Sequence, residues 1–154
     1  MTVAVGELAP DFTLPTDGGQ MLSLSALRGK TVVLYFYPKD DTSGCTSEAL
    51  GFQAALADFA AAGAEVVGLS KDSPAKHDKF KAKHGLTFPL VSDEAGATVE
   101  AYGAWVEKSM YGRKYFGIDR STFIIAPDGT IRQLWRKVKV TGHVAAVLKA
   151  VQQA

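Results

Sequence analysis

The sequence contains one cysteine, Cys45, in 154 residues. An internal disulfide is therefore excluded, and so is a Cys-x-x-Cys redox pair of the thioredoxin type. A thiol left unpaired fits a reducing, cytoplasmic setting. Charge of one sign is also lacking: 17 Lys and Arg face 16 Asp and Glu, a formal net charge of +1. That balance argues against nucleic acid or another polyanion as partner. No apolar run reaches the length of a membrane span, so no membrane association is expected. The opening residues MTVAVGELAPDF carry neither a basic region nor an apolar export core, so export is not expected. Repeats, linkers and low-complexity tracts are absent too. A chain of this length is expected to form one domain, 1–154, burying about two thirds of its unfolded surface.

What is present concentrates between Val32 and Leu50, VVLYFYPKDDTSGCTSEAL. Val32 to Tyr37 is an apolar run rich in β-branched and aromatic residues, the pattern of a fully buried strand. Pro38 stops it, and a polar loop from Lys39 to Gly44 follows. Cys45 then stands at the entrance of a helix predicted over 43–62 and ended by Gly63. The first turn of a helix has unpaired N–H groups and the positive end of the dipole, which favours thiolate, the reactive form. Thr42 stands three residues earlier, so its hydroxyl can reach the sulfur or an incoming oxygen. On local grounds two readings of Cys45 stay open, a small inert core residue or a nucleophile on a rigid platform. Its polar neighbours Thr42, Ser43 and Gly44 argue against burial.

Strand patterns recur over Phe12–Leu14 and Met21–Leu24 as a hairpin, and over Ala64–Ser70, Leu90–Val91, Ser121–Ala126 and Thr130–Lys137. Ser25 is placed to cap a single turn ending at Gly29. Asp72-Ser73-Pro74 reads as a helix start, the helix ending near Gly85. A small helix near Ala97–Tyr102 and a closing amphipathic helix over 141–153 complete the pattern. Lys108 to Gly117 reads as polar, aromatic and irregular. His77 and His84 read as solvated helix positions. Strands alternating with helices, followed by a hairpin and a last helix, point to an α/β fold in three layers.

The run Pro38-Lys39-Asp40-Asp41-Thr42-Ser43-Gly44-Cys45 matches the Pro-x-x-x-Thr-x-x-Cys motif of peroxiredoxins. The surroundings YFYPKDDTSGCTSEA, with APDFTLPTDGG, GLSKDSP, FPLVSD and MYGRKYFGIDRSTFIIAPDG, resemble the bacterioferritin-comigratory (BCP, PrxQ-type) branch in particular. That resemblance implies a thioredoxin-like α/β/α fold with an N-terminal β-hairpin. It also implies a peroxidase that uses no cofactor. Cys45 would be the peroxidatic nucleophile, Thr42 the hydroxyl that bonds the peroxide, and Pro38 the shield of the thiolate. Arg120 matches the distant arginine that polarises peroxide; without the resemblance it reads as a surface partner of Asp119. Backbone N–H groups of Gly44 and Cys45 are further donors to substrate. Glu48 resembles a position near the site and reads equally as a first-turn carboxylate.

Two departures stand out. Ser43 replaces the proline usual in this branch, so the first helical turn is expected to open more easily. A second, resolving cysteine is missing: relatives carry it where this chain has Leu50 or near Lys81. The resemblance thus implies a one-cysteine cycle, a hydroperoxide substrate, and an external thiol reductant such as thioredoxin or glutathione with glutaredoxin. A monomer is expected. Two rivals remain at this stage, a cysteine-based redox sensor and a non-catalytic thioredoxin-fold binding protein. Gly29-Lys30-Thr31 is set aside as a P-loop remnant because Leu24 stands where glycine is needed.

Overall fold

The computed structural model describes residues 3–153; of the expected domain 1–154, Met1, Thr2 and Ala154 lie outside them. Strands β1 (Thr13–Pro15) and β2 (Met21–Ser23) pair antiparallel as the expected hairpin. Between β2 and the next strand lies a 3-10 turn, Leu24–Leu27. Ser25 is inside that turn rather than its cap, and its N–H donates to Asp11 Oδ1 at 2.9 Å.

The organising strand is β3 (Thr31–Phe36), in which every residue is buried. Its β-branched and aromatic side chains alternate between two cores. Val32, Leu34 and Phe36 join Phe12, Leu24, Val99 and Tyr102 on one face. Val33 and Tyr35, with the following Tyr37, join Phe52, Phe59, Phe80 and Val147 on the other. Burial on both faces contributes about 1.5–3 kcal/mol per large apolar side chain, which explains why this short stretch can anchor the molecule.

After β3 come helices α1 (Ser43–Ala54) and α2 (Leu56–Ala61), strand β4 (Ala64–Ser70), helix α3 (Pro74–His84) and strand β5 (Leu90–Ser92). The single helix predicted over 43–62 is in fact divided: Ala55 leaves helical geometry at φ −95, ψ 3. Phe52 and Phe59, on either side of that break, are both fully buried. Helix α3 starts as predicted, with Ser73 accepting from the Lys76 N–H, Pro74 in the first turn and Gly85 closing it in the left-handed region.

Helix α4 (Ala97–Ala101), strands β6 (Trp105–Met110), β7 (Arg113–Ile118), β8 (Ser121–Ile125) and β9 (Ile131–Trp135), and helix α5 (His143–Gln152) complete the chain. The stretch read as irregular, Lys108 to Gly117, is therefore a β-hairpin, from Trp105↔Ile118 to Met110↔Arg113. Its turn, Tyr111-Gly112, has both φ values positive (53 and 76), the geometry of a two-residue hairpin turn. The hairpin is largely exposed, so the in-out alternation that marks a half-buried strand is missing from its sequence.

The main sheet has the order β5-β4-β3-β8-β9. Strands β3, β4 and β5 are parallel, whereas β8 runs antiparallel to β3 with Phe36 opposite Ser121. This reversal places the start of β8 beside the carboxyl end of β3. Among the described residues no helix is long and apolar enough to cross a membrane.

His143, at the start of α5, is buried edge-on to Trp135 and Phe52 and bonds Thr122 Oγ1 through Nε2 at 2.8 Å. Burial, with a smaller effect of the Arg120 charge, lowers its pKa to about 4. The folded value lies below the ordinary 6.5, so its stabilisation is present above pH 6.5 and is lost as pH falls through about 4. His143→Gln, which keeps a partner for Thr122, is expected to lose about 2 kcal/mol less than the parent between pH 7 and pH 4. Denaturant unfolding at the two pH values measures this, and equal losses in both proteins would refute it.

Candidate active site

The loop after β3 turns the chain from strand to helix in six residues, 37–42. It is tied down by polar contacts that reading the sequence did not anticipate. Tyr37 OH donates to Asp40 Oδ1 at 2.5 Å, and His77 Nδ1 lies 2.6 Å from Asp40 Oδ2. His77 Nε2 faces the Val91 carbonyl at 3.0 Å, so that nitrogen donates. The Asp40 N–H donates to Asp72 Oδ2 at 2.8 Å, which also accepts from Ser70 Oγ. His77 is thus fully buried, not the solvated helix position expected. Its spacing of three from buried Phe80 was the signal that it faces inward. Asp41 sits at φ 61 and bonds Lys83 Nζ at 2.8 Å and His84 Nε2 at 3.0 Å.

Helix α1 then begins with Thr42 as its N-cap residue. The Thr46 N–H donates to the Thr42 carbonyl at 2.8 Å, so the first turn is formed despite Ser43. Its buried stripe is Cys45, Glu48, Ala49 and Phe52, the i, i+3, i+4, i+7 pattern of one helix face. Cys45 and Glu48 therefore point the same way, one turn apart. The expectation that Cys45 escapes burial fails: it is 1% exposed. Packing of α1 on β3 draws its first turn inward, which the polarity of the neighbouring residues does not report.

The buried sulfur is nonetheless not sealed among apolar groups. Arg120 immediately precedes β8, and the antiparallel register brings it to the end of β3 and the start of α1. Its Nη2 donates to Cys45 Sγ at 3.4 Å, and its Nη1 to Glu48 Oε1 at 2.8 Å. The surface pairing with Asp119 is not what forms. Gly44 leaves room for the guanidinium: a Cβ there would stand 3.1 Å from Arg120 Nη2, a tight contact that the side chain would have to shift to relieve. Burial opposes the charge on Arg120, but the neighbouring Cys45 and Glu48 outweigh it and raise its pKa above the ordinary value.

Glu48 is fully buried, and its Oε2 has no hydrogen-bond partner among the described residues. Burial pushes its carboxyl up to about 7, against the downward pull of Arg120. The carboxylate thus forms late, near neutral pH, and when formed it fixes Arg120 through a charge-assisted bond. Thr42 Oγ1 donates to the Lys39 carbonyl at 2.9 Å rather than to the sulfur. Pro38 is exposed at the end of β3. Of the six residues singled out in the sequence, the fold joins Cys45, Arg120, Glu48 and Gly44 in one contact cluster and leaves Thr42 and Pro38 exposed outside it. Among the described residues no group of three or more His, Cys, Asp or Glu side chains is placed to hold a metal ion.

A pH test follows from Glu48. The oxidation rate of Cys45 by hydrogen peroxide is expected to rise through pH 7 as Glu48 ionises and orients Arg120. Glu48→Gln is expected to lose that rise while staying within about tenfold of the parent plateau, because its amide oxygen still accepts from Nη1. A rise near pH 7 that survives in the variant would remove Glu48 from this role.

Comparison with known proteins gives a consistent set of relatives. The AhpC/TSA family profile matches residues 5–134. A putative peroxiredoxin Bcp of Coxiella burnetii is 53% identical over 148 residues, covering 96% of this chain and 98% of that protein. Among solved structures, a cysteine-to-serine mutant of PrxQ from Xylella fastidiosa superposes with a TM-score of 0.94 at 39% identity, covering 99% and 98% of the two chains. The bacterioferritin comigratory protein of Xanthomonas campestris, described for its alkyl peroxide reduction activity, superposes with a TM-score of 0.88 at 48% identity, covering 92% and 90%.

Proposed function

Because the chain belongs to the AhpC/TSA family, in its Bcp/PrxQ branch with the thioredoxin fold, and is thereby a thiol-dependent peroxidase, we propose that Cys45 is its peroxidatic nucleophile in a one-cysteine cycle. The observation that carries this reading is the Arg120 guanidinium, 3.4 Å from the sulfur and anchored by Glu48.

The Cys45 thiolate attacks one oxygen of a hydroperoxide, the O–O bond breaks, and the other oxygen departs as water or alcohol after taking a proton. The sulfur is left as a sulfenic acid. Arg120 stabilises the charge that develops on the oxygens, and the N–H groups of Gly44 and Cys45 add donors. Thr42 contacts the peroxide by turning its hydroxyl from the Lys39 carbonyl, and Pro38 forms the outer rim. Hydrogen peroxide and small organic hydroperoxides are the substrates; the alkyl peroxide reduction described for the Xanthomonas campestris protein supports the second class.

With one cysteine in the sequence, the sulfenic acid is reduced by an external thiol, either thioredoxin or glutathione with glutaredoxin. Burial of Cys45 imposes an order on these steps. Peroxide, the smaller reactant, needs less opening of the site than a bulkier thiol, which requires the first turn of α1 to open. The protein acts as a cytoplasmic, single-domain monomer in this reading.

Mass spectrometry after one equivalent of peroxide tests it. One added oxygen on Cys45, removed by an added thiol with recovery of reactivity, is the expected result. A chain that gains no oxygen, or gains one that no thiol removes, would rule the cycle out.

A further inference from the structure

The proposed cycle needs an external thiol, and a cleft beside the thiol loop has the chemistry to select one. It has a volume of about 230 Å³ and lies between the loop residues 39–41 and helix α3. Lys76, Lys79 and Lys83 line it from α3 at spacings of three and four, which puts them on one helix face. Lys39 faces them from the loop, and Phe80 forms part of the lining.

The acidic groups of the cleft are already engaged. Asp40 bonds Tyr37 and His77, Asp72 bonds Ser70 and the Asp40 N–H, and Asp41 holds Lys83 and His84. Among the described residues Lys39, Lys76 and Lys79 have no carboxylate partner. Four lysines against three aspartates leave the cleft positive, and three of its ammonium groups touch no carboxylate, so it attracts a ligand bearing carboxylates. Its volume suits a molecule of small-peptide size.

Resting on the one-cysteine reading above, we propose that this cleft binds the reductant and that the reductant is a small anionic thiol, carrying carboxylates to Lys39, Lys76 and Lys79. The wall formed by residues 39–41 is the segment that leads into Cys45, and it is anchored to the first turn of α1 by the Thr42 hydroxyl on the Lys39 carbonyl. A thiol held there is next to the chain that must move to expose the oxidised sulfur. Its sulfur attacks the Cys45 sulfenic acid; the S–O bond breaks, an S–S bond forms, and the hydroxyl leaves as water with the thiol's proton. A second thiol attacks the mixed disulfide, releasing the oxidised dimer and returning Cys45 as a thiol. Two electrons pass from two thiols to one sulfur.

Glutathione, which is anionic, and dithiothreitol, which is neutral, distinguish a recognised reductant from a merely reactive one. In Lys76→Gln/Lys79→Gln the KM for glutathione is expected to rise about tenfold. Added salt is expected to raise the parent's KM in the same direction. The dithiothreitol-supported rate and the rate of Cys45 oxidation by hydrogen peroxide should both stay at the parent values. Equal responses to the two thiols, or a wild-type sulfenic acid that dithiothreitol reduces and glutathione does not, would overturn the site and leave the peroxidase reading standing. A Cys45 that peroxide never oxidises would instead defeat the underlying cycle.

Discussion

Cys45→Ser is expected to lose peroxide consumption by at least about 10⁴-fold, equivalent to about 5 kcal/mol of barrier, while keeping its fold. The substitution exchanges sulfur for oxygen in a site that is 1% exposed, so almost no volume is opened. The new hydroxyl is not orphaned, because Arg120 Nη2 stands where it donates to the present sulfur. Because the buried hydroxyl keeps a hydrogen-bond partner, the stability change should stay within about 1–2 kcal/mol. What disappears is the proposed nucleophile: an alcohol is not ionised near neutral pH and is a poor attacker of peroxide oxygen. Peroxide consumption with dithiothreitol as reductant, beside thermal unfolding of both proteins, measures the two halves. Sustained turnover by a folded Cys45→Ser would remove Cys45 from the chemistry.

Arg120→Ala is expected to have the next largest effect, and on two quantities at once. The peroxide step should slow by about 10²–10³-fold, the usual consequence of removing a preorganised donor from a developing negative charge. Stability should fall as well, because Glu48 is fully buried and Arg120 is its counter-charge. Stranding a buried charge costs about 3–5 kcal/mol. The sign with pH is fixed by the raised value of about 7. Protonated Glu48 tolerates burial, so the defect is small at pH 5 and grows as pH rises through 7. Adding Glu48→Gln to Arg120→Ala should restore stability at pH 8 and leave the peroxide rate low. Recovery of the rate in that double variant, or no loss of rate in Arg120→Ala, would show that the guanidinium does not act on the peroxide.

Much of this architecture was legible because local sequence reports burial and chain reversal directly. The six buried residues of β3, the Ser73-Pro74 start of α3 and the glycine that ends it all follow from short-range rules. Elements whose signals depend on surroundings were harder. The Trp105–Ile118 hairpin packs too little of its surface to show alternation, and its Tyr-Gly turn lacks the usual Asn-Gly or Asp-Gly signature. The break at Ala55 has no proline or glycine to announce it. His77 looked like one more polar residue on a lysine-rich helix, although its position three residues before Phe80 placed it on the buried face.

The candidate site divides along the same line. Cys45, the loop that carries it and the helix that follows are consecutive in the chain, so the motif around them could be read without coordinates. The partner of that sulfur lies 75 residues away, and composition and periodicity say nothing about which distant cation arrives. Antiparallel pairing of β8 with β3 decides that it is Arg120, since Phe36 opposite Ser121 puts the preceding residue at the mouth of the thiol loop. Packing of α1 against the sheet decides that Cys45 and Glu48 are buried together, because a helix face is chosen by what covers it and not by the polarity of its neighbours. The amino-acid order alone determined where a reactive thiol could be displayed and that no second thiol would answer it. Only the assembled sheet determined what covers that sulfur and which cation stands beside it, because both come from strands and helices distant in the chain.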